Sequence, residues 1–140
     1  MSDKLTAMAK DNNIRVSALK LANVARSIVS LKVSKAVNQL KFSQKRISTN
    51  VLKVLNAAIA NAENNKQLDI DNLFIKEAFV GKSLSMKRFR PRAKGRASAI
   101  VKPFSKLTII VEERQIKKSV KKSVKKSVKK SVKKIVKESK

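Results

Sequence analysis

An α+β fold with a long β-hairpin projecting from its body is what this sequence of 140 residues predicts. Three observations point to it. Apolar residues recur at helical spacing through the first half of the chain and change to alternation in the second half. Between the two alternating segments lies Lys87-Arg88-Phe89-Arg90-Pro91-Arg92-Ala93-Lys94-Gly95-Arg96, six of whose ten side chains are cationic. Beyond the second segment comes a Lys-Lys-Ser-Val repeat, which reads as a basic C-terminal tail. The length suits one modest domain, residues 1–114, with an appendage at 115–140.

Residues 1–14 are polar and read as an extended arm or a first strand. Ser17 is a candidate N-cap for a helix near 18–29, because Leu21, Val24, Ala25 and Ile28 then share one face. Ser34 is a candidate cap for a short second helix containing Val37, Leu40 and Lys41. The third helix has the clearest signature. Ile47, Val51, Val54, Leu55, Ala58, Ile59 and Ala62 form one apolar stripe, with Lys45, Arg46, Lys53 and Asn56 off it, and Asn64-Asn65-Lys66 ends it.

After a polar turn, Leu73, Ile75, Glu77 and Phe79 alternate with Phe74, Lys76, Ala78 and Val80, a strand with both faces partly apolar. The return arm contains Ala99-Ile100-Val101 and ends in Leu107-Thr108-Ile109-Ile110-Val111, a β-branched segment suited to a sheet. A hairpin over about 74–111 follows, its basic tip at about 85–97, with Pro91 and Gly95 breaking the strands. Arms of about ten residues would reach on the order of 30 Å. Like charges facing each other across such arms oppose pairing, so the tip is expected to be mobile until a partner orders it.

Charge narrows the partner. Lysine and arginine number 35 against 9 acids, a formal charge of +26. Residues 115–140 hold twelve lysines and one glutamate, so residues 1–114 retain +15 from 23 cations and 8 acids. No acid occurs between Lys82 and Lys102. A run this dense needs a polyanion to neutralise it, and phosphate backbones are the commonest in a cell. Arginines can pair bidentately with phosphate or stack on bases. Four of them beside Phe89 and Pro91 favour insertion into a folded RNA over loose coating of a duplex. Met86 and Phe89 either pack on the hairpin stem or touch that RNA.

Enzymatic chemistry finds little support. Without cysteine or histidine there are no disulfides, thiolates or usual proton shuttle, and most zinc sites are excluded. Asp69 and Asp71 sit where a turn needs capping, Glu112-Glu113 ends the last strand, and Gly81 and Gly95 make no phosphate loop. No cofactor or metal is expected. No apolar run approaches the roughly 20 residues of a membrane helix, and Met1-Ser2-Asp3-Lys4 begins no hydrophobic signal, so a cytoplasmic location is expected.

The segment Ser85-Met86-Lys87-Arg88-Phe89-Arg90-Pro91-Arg92-Ala93-Lys94-Gly95-Arg96, followed by Lys106 and the strand Leu107–Val111, resembles the bacterial large-subunit ribosomal protein twenty-two family. So do Val33-Ser34-Lys35-Ala36, Ala57-Ala58-Ile59-Ala60-Asn61-Ala62-Glu63-Asn64-Asn65 and Asp69-Ile70-Asp71-Asn72-Leu73, giving a resemblance over roughly residues 14–114. Val29-Ser30 stands where that family often has Arg-Gly, Ala22 where it often has arginine, and Lys106 where it has histidine or an acidic or amide residue.

The resemblance implies three helices packed on a small three-stranded antiparallel sheet, with the hairpin reaching into the large ribosomal subunit. It further implies contacts with large-subunit rRNA of several domains, with neighbouring ribosomal proteins, and with the nascent peptide in the exit tunnel. Its role would be to assist assembly and shape that tunnel without catalysis. RNA-binding or tunnel-facing positions would then be Lys82, Met86, Lys87, Arg88, Phe89, Arg90, Pro91, Arg92, Ala93, Lys94, Gly95, Arg96, Lys102 and Lys106. Body contacts would come from Arg15, Ser17, Lys20, Lys32, Lys45 and Arg46.

The competing reading is a histone-like DNA-compacting protein, since residues 117–132 repeat Lys-Lys-Ser-Val four times. On a helix that period drifts about 40° per repeat, so Val120, Val124, Val128 and Val132 form no fixed apolar face. The tail is therefore expected to be disordered alone and helical only when phosphates screen it. The same drift argues against a membrane-active peptide.

Overall fold

The computed structural model describes residues 5–114, so the expectations for the tail lie outside the described residues. Along the chain run β1 (Thr6–Ile14), α1 (Ala18–Ile28), α2 (Val33–Lys41), α3 (Ser48–Lys66), β2 (Leu73–Pro91) and β3 (Ala97–Glu113). The strands form one antiparallel sheet in the order β1-β3-β2. The fold is thus α+β, three helices against a three-stranded antiparallel sheet, and residues 6–14 resolve as a strand rather than a loose arm.

One face of the sheet and the helices share the core. Leu107, Ile109 and Val111 on β3 lie between Ala7 and Ala9 of β1 and Leu73 and Ile75 of β2, all buried. Against them pack Leu21, Val24 and Ile28 of α1, Leu40 of α2, and the stripe of α3. Val51, Val54, Leu55, Ala58 and Ala62 of that stripe are buried, while Ile47 and Ile59 pack at its margin. Burying a Val or Leu side chain contributes about 1.5–3 kcal/mol, so this stripe, not intrinsic propensity, holds α3 in place.

Helix ends depart from expectation in two places. Ser17 does occupy the N-cap of α1 but makes no side-chain capping bond. The cap of α2 is Lys32, not Ser34, because Lys32 bridges to Phe74 of β2 in extended geometry and Val33, buried, already begins the helix. α3 ends on Asn64-Asn65-Lys66 as expected, and Gln67 caps it in the left-handed region (φ 54°). The Gln67 and Leu68 amides then donate to the Glu63 and Ala62 carbonyls, turning Leu68 back onto the core.

Two bulges shape β2. Between Ile75 and Glu77 an extra residue shifts the register, so the inner face passes from Leu73 and Ile75 to Ala78 and Val80. Phe79, which simple alternation from Leu73 would put inside, is consequently exposed. The second lies between Lys82 and Ser85, opposite Phe104, next to Pro103. There β3 has left β1, whose last pair is Ile14 with Ser105, so the proline's missing N–H is not needed for a second neighbour.

Candidate nucleic-acid interface

From Ser105 towards the turn only β2 and β3 continue as paired strands. The strands are longer than the ten residues expected, 19 in β2 and 17 in β3, because the first half of β2 and the second half of β3 belong to the body sheet. The free portion from Lys82 to Pro91 reaches about 30 Å at roughly 3.3 Å per residue. The basic segment is also less of a loop than its charge suggests. Pairing continues to Pro91 with Ala97, and only Arg92–Arg96 form the turn.

Register explains how that pairing survives the charge. Lys82 faces Ser105, Lys87 faces Val101, Arg88 faces Ile100 and Arg90 faces Ser98, while Lys102 faces Met86 and Lys106 faces Gly81. No strand cation has another directly opposite, so the anticipated cross-strand repulsion is largely avoided. The Lys106 side chain crosses over Gly81, where a Cβ would lie 2.6 Å from its Cε and the lysine would have to swing aside. Alternation sends Arg88 and Arg90 to one face and Lys87 and Phe89 to the other, so the hairpin is cationic on both sides.

At the turn Arg92 N–H donates to the Arg96 carbonyl at 2.7 Å around a 3-10 turn at Ala93–Gly95. Lys94 and Gly95 both take positive φ, 59° and 67°. Backbone alone closes this turn, leaving every cationic side chain free for a partner. Phe89 is 77% exposed, whereas Met86 is at the margin of exposure and its sulfur accepts from Arg88 at 3.9 Å.

A second basic feature lies where the hairpin leaves the body. Arg15, Ser17 and Lys20 from the start of α1, Lys45 and Arg46 from the α2–α3 connection, and Lys102 from β3 line an open cleft of about 540 Å³ with no acid in its wall. Five of the six body positions named from sequence therefore converge here with a hairpin residue. Lys32 does not; it lies at the opposite end of β2, against Phe74. Ser105, fully buried, fastens the cleft to the hairpin root by donating from Oγ to the Val16 carbonyl at 2.6 Å. An adjoining recess shares Arg15, Val16 and Arg46 and adds Thr49 and Asn50, neither of which the sequence singled out.

The acids take structural roles. Asp69 Oδ1 accepts from the Asp71 amide at 3.0 Å and Oδ2 from Asn72 Nδ2 at 2.6 Å, capping the turn before β2. Glu112 at the end of β3 pairs with Arg114, whose guanidinium lies 5.5 Å from the Phe74 ring centroid. Among the described residues no helix is long and apolar enough to cross a membrane.

The family model described as ribosomal protein L22p/L17e matches residues 9–112, from β1 to the end of β3. The chain belongs to the ribosomal protein L22p/L17e family. Its relatives include the large ribosomal subunit protein uL22 of Phenylobacterium zucineum, 59% identical over 110 residues, covering 79% of this chain and 87% of that protein. The protein of the same name from Pelagibacter ubique is 51% identical over 114 residues, covering 81% and 86%. That from Caulobacter vibrioides is 56% identical over 107 residues, covering 76% and 85%. Members of the L22p/L17e family are structural components of the ribosome, so this chain is a ribosomal protein of translation and not an enzyme.

Proposed function

We propose that this chain builds into the large ribosomal subunit by binding its rRNA along both faces of the hairpin and in the cleft at the hairpin root. The observation that carries this is the acid-free cationic surface running from Arg15, Lys20, Lys45 and Arg46 through Lys102 to Arg92 and Arg96. Phosphates from RNA segments of more than one domain neutralise it, and tying those segments together assists assembly. The narrow tip, Arg88 to Arg96, lines the nascent-peptide tunnel, while the body meets neighbouring ribosomal proteins in the cytoplasmic particle. Residues 1–114 hold the specific contacts, and the lysines of 115–140 add sequence-independent attraction.

Sedimentation of cell extracts provides the test. The chain should co-migrate with large subunits; co-migration with the nucleoid would favour DNA compaction. Arg92→Glu combined with Arg96→Glu should abolish incorporation while circular dichroism stays native, since the turn closes through backbone atoms. Normal incorporation of that variant would count decisively against the hairpin's role.

A further inference from the structure

Resting on the RNA-binding reading above, we propose that the cleft at the hairpin root seats one unpaired nucleotide. Its phosphate lies on Arg15, Lys20 and Lys102, and its base edge meets Asn50. Volume and shape come first. Each of the two joined recesses is about 540 Å³, within the roughly 300–1,000 Å³ of small-ligand sites. A duplex is too wide and stiff to enter such a hollow, and its backbone would instead ride over the convex hairpin. Single nucleotides turned out of a loop or bulge are the RNA elements that fit, and they are where RNA sequence is usually read.

The polar lining completes the match. Thr49 Oγ1 already donates to the Arg46 carbonyl at 2.9 Å, so its proton is committed. The Asn50 side-chain amide, partly buried, has no hydrogen-bond partner among the described residues, its backbone N–H alone donating to the Ile47 carbonyl. It offers one acceptor and two donors, the set needed to discriminate base edges. Ser17 likewise keeps its hydroxyl free, because it does not cap α1. Arg15, Lys20, Lys45, Arg46 and Lys102 supply the charge, whereas Asn50 supplies selectivity.

Full-length protein bound to large-subunit rRNA transcript, probed with dimethyl sulfate and a carbodiimide to cover the base edges, decides the matter. Wild type should protect an unpaired nucleotide that Asn50→Ala re-exposes several-fold, with affinity for the transcript falling about tenfold. Protections that depend on Arg92 and Arg96 should persist in Asn50→Ala. Unchanged base reactivity in Asn50→Ala, or changes confined to paired nucleotides, would overturn the nucleotide seat while leaving the hairpin's role intact. Absence of any wild-type protection would overturn the RNA-binding reading itself. Asn50→Asp gives a second check, since it keeps size and fold but removes the donors, and it should re-expose the same nucleotide.

Discussion

Removing one oxygen atom from each of two buried serines should move stability in opposite directions. Ser105 and Ser48 are 0% and 1% exposed. Ser105 Oγ donates to the Val16 carbonyl at 2.6 Å, joining β3 to the link between β1 and α1. Ser48 Oγ is buried with no hydrogen-bond partner among the described residues. In Ser105→Ala the bond is lost and a carbonyl is left in a half-dry setting; because Val16 is only partly buried, the cost is the lower part of the usual range, about 1–2 kcal/mol. In Ser48→Ala an unpaired hydroxyl leaves the interior and a better helix former enters the first turn of α3, which should stabilise by about 0.5–1 kcal/mol. Urea titration followed by far-UV circular dichroism resolves both, with midpoints shifting in opposite senses at unchanged slope. Equal destabilisation by the two substitutions would refute the hydrogen-bond assignment. In Ser105→Ala the cleft should also loosen from the hairpin root, weakening RNA binding more than the stability loss alone explains.

Ser30 sits at φ 65°, where an L side chain is strained, so Ser30→Gly should raise stability by ~0.5–1 kcal/mol in the same titration. Deleting residues 117–140 should flatten the salt dependence of RNA binding while preserving preference for the cognate rRNA, measured by filter binding across ionic strengths. Loss of that preference would show that the tail reads RNA. Amide exchange on free protein should be fast at Arg92–Arg96 and slow in α3; equal protection would contradict a tip that becomes fixed only on its RNA.

Periodicity made the helices legible because α3 packs as a nearly uninterrupted stripe, and the spacing of Leu21, Val24, Ala25 and Ile28 marks the buried face of α1 just as directly. β1 was legible only as one of two readings, arm or strand, because its inward residues are the small Ala7 and Ala9 while Met8 and Lys10 point away; its strand state comes from pairing with β3. The bulge before Glu77 was hidden for a different reason. Both faces of that segment are partly apolar, so a shift of phase leaves no mark in composition. Charge alone overstated the repulsion across the hairpin, since facing residues depend on register, which composition does not contain. Arg15, Lys20, Lys45 and Arg46 were visible as cations, yet their meeting with Lys102 arises from tertiary packing. Asn50 lay concealed beside the α3 stripe.

The outer edge of β2 bears on what happens before the ribosome claims the chain. Bare strand edges invite a second copy to add on, the first step towards fibrous aggregates. Here any such sibling must bring its own Lys82, Lys87, Arg88 and Arg90 alongside those already present, with no acids on either prong to relieve the crowding. On the far side of the sheet, Asn61 Nδ2 occupies the Met8 carbonyl at 2.9 Å and closes part of that rim as well. Crowded charge on one rim and a side-chain bond on the other thus both disfavour edge-to-edge addition.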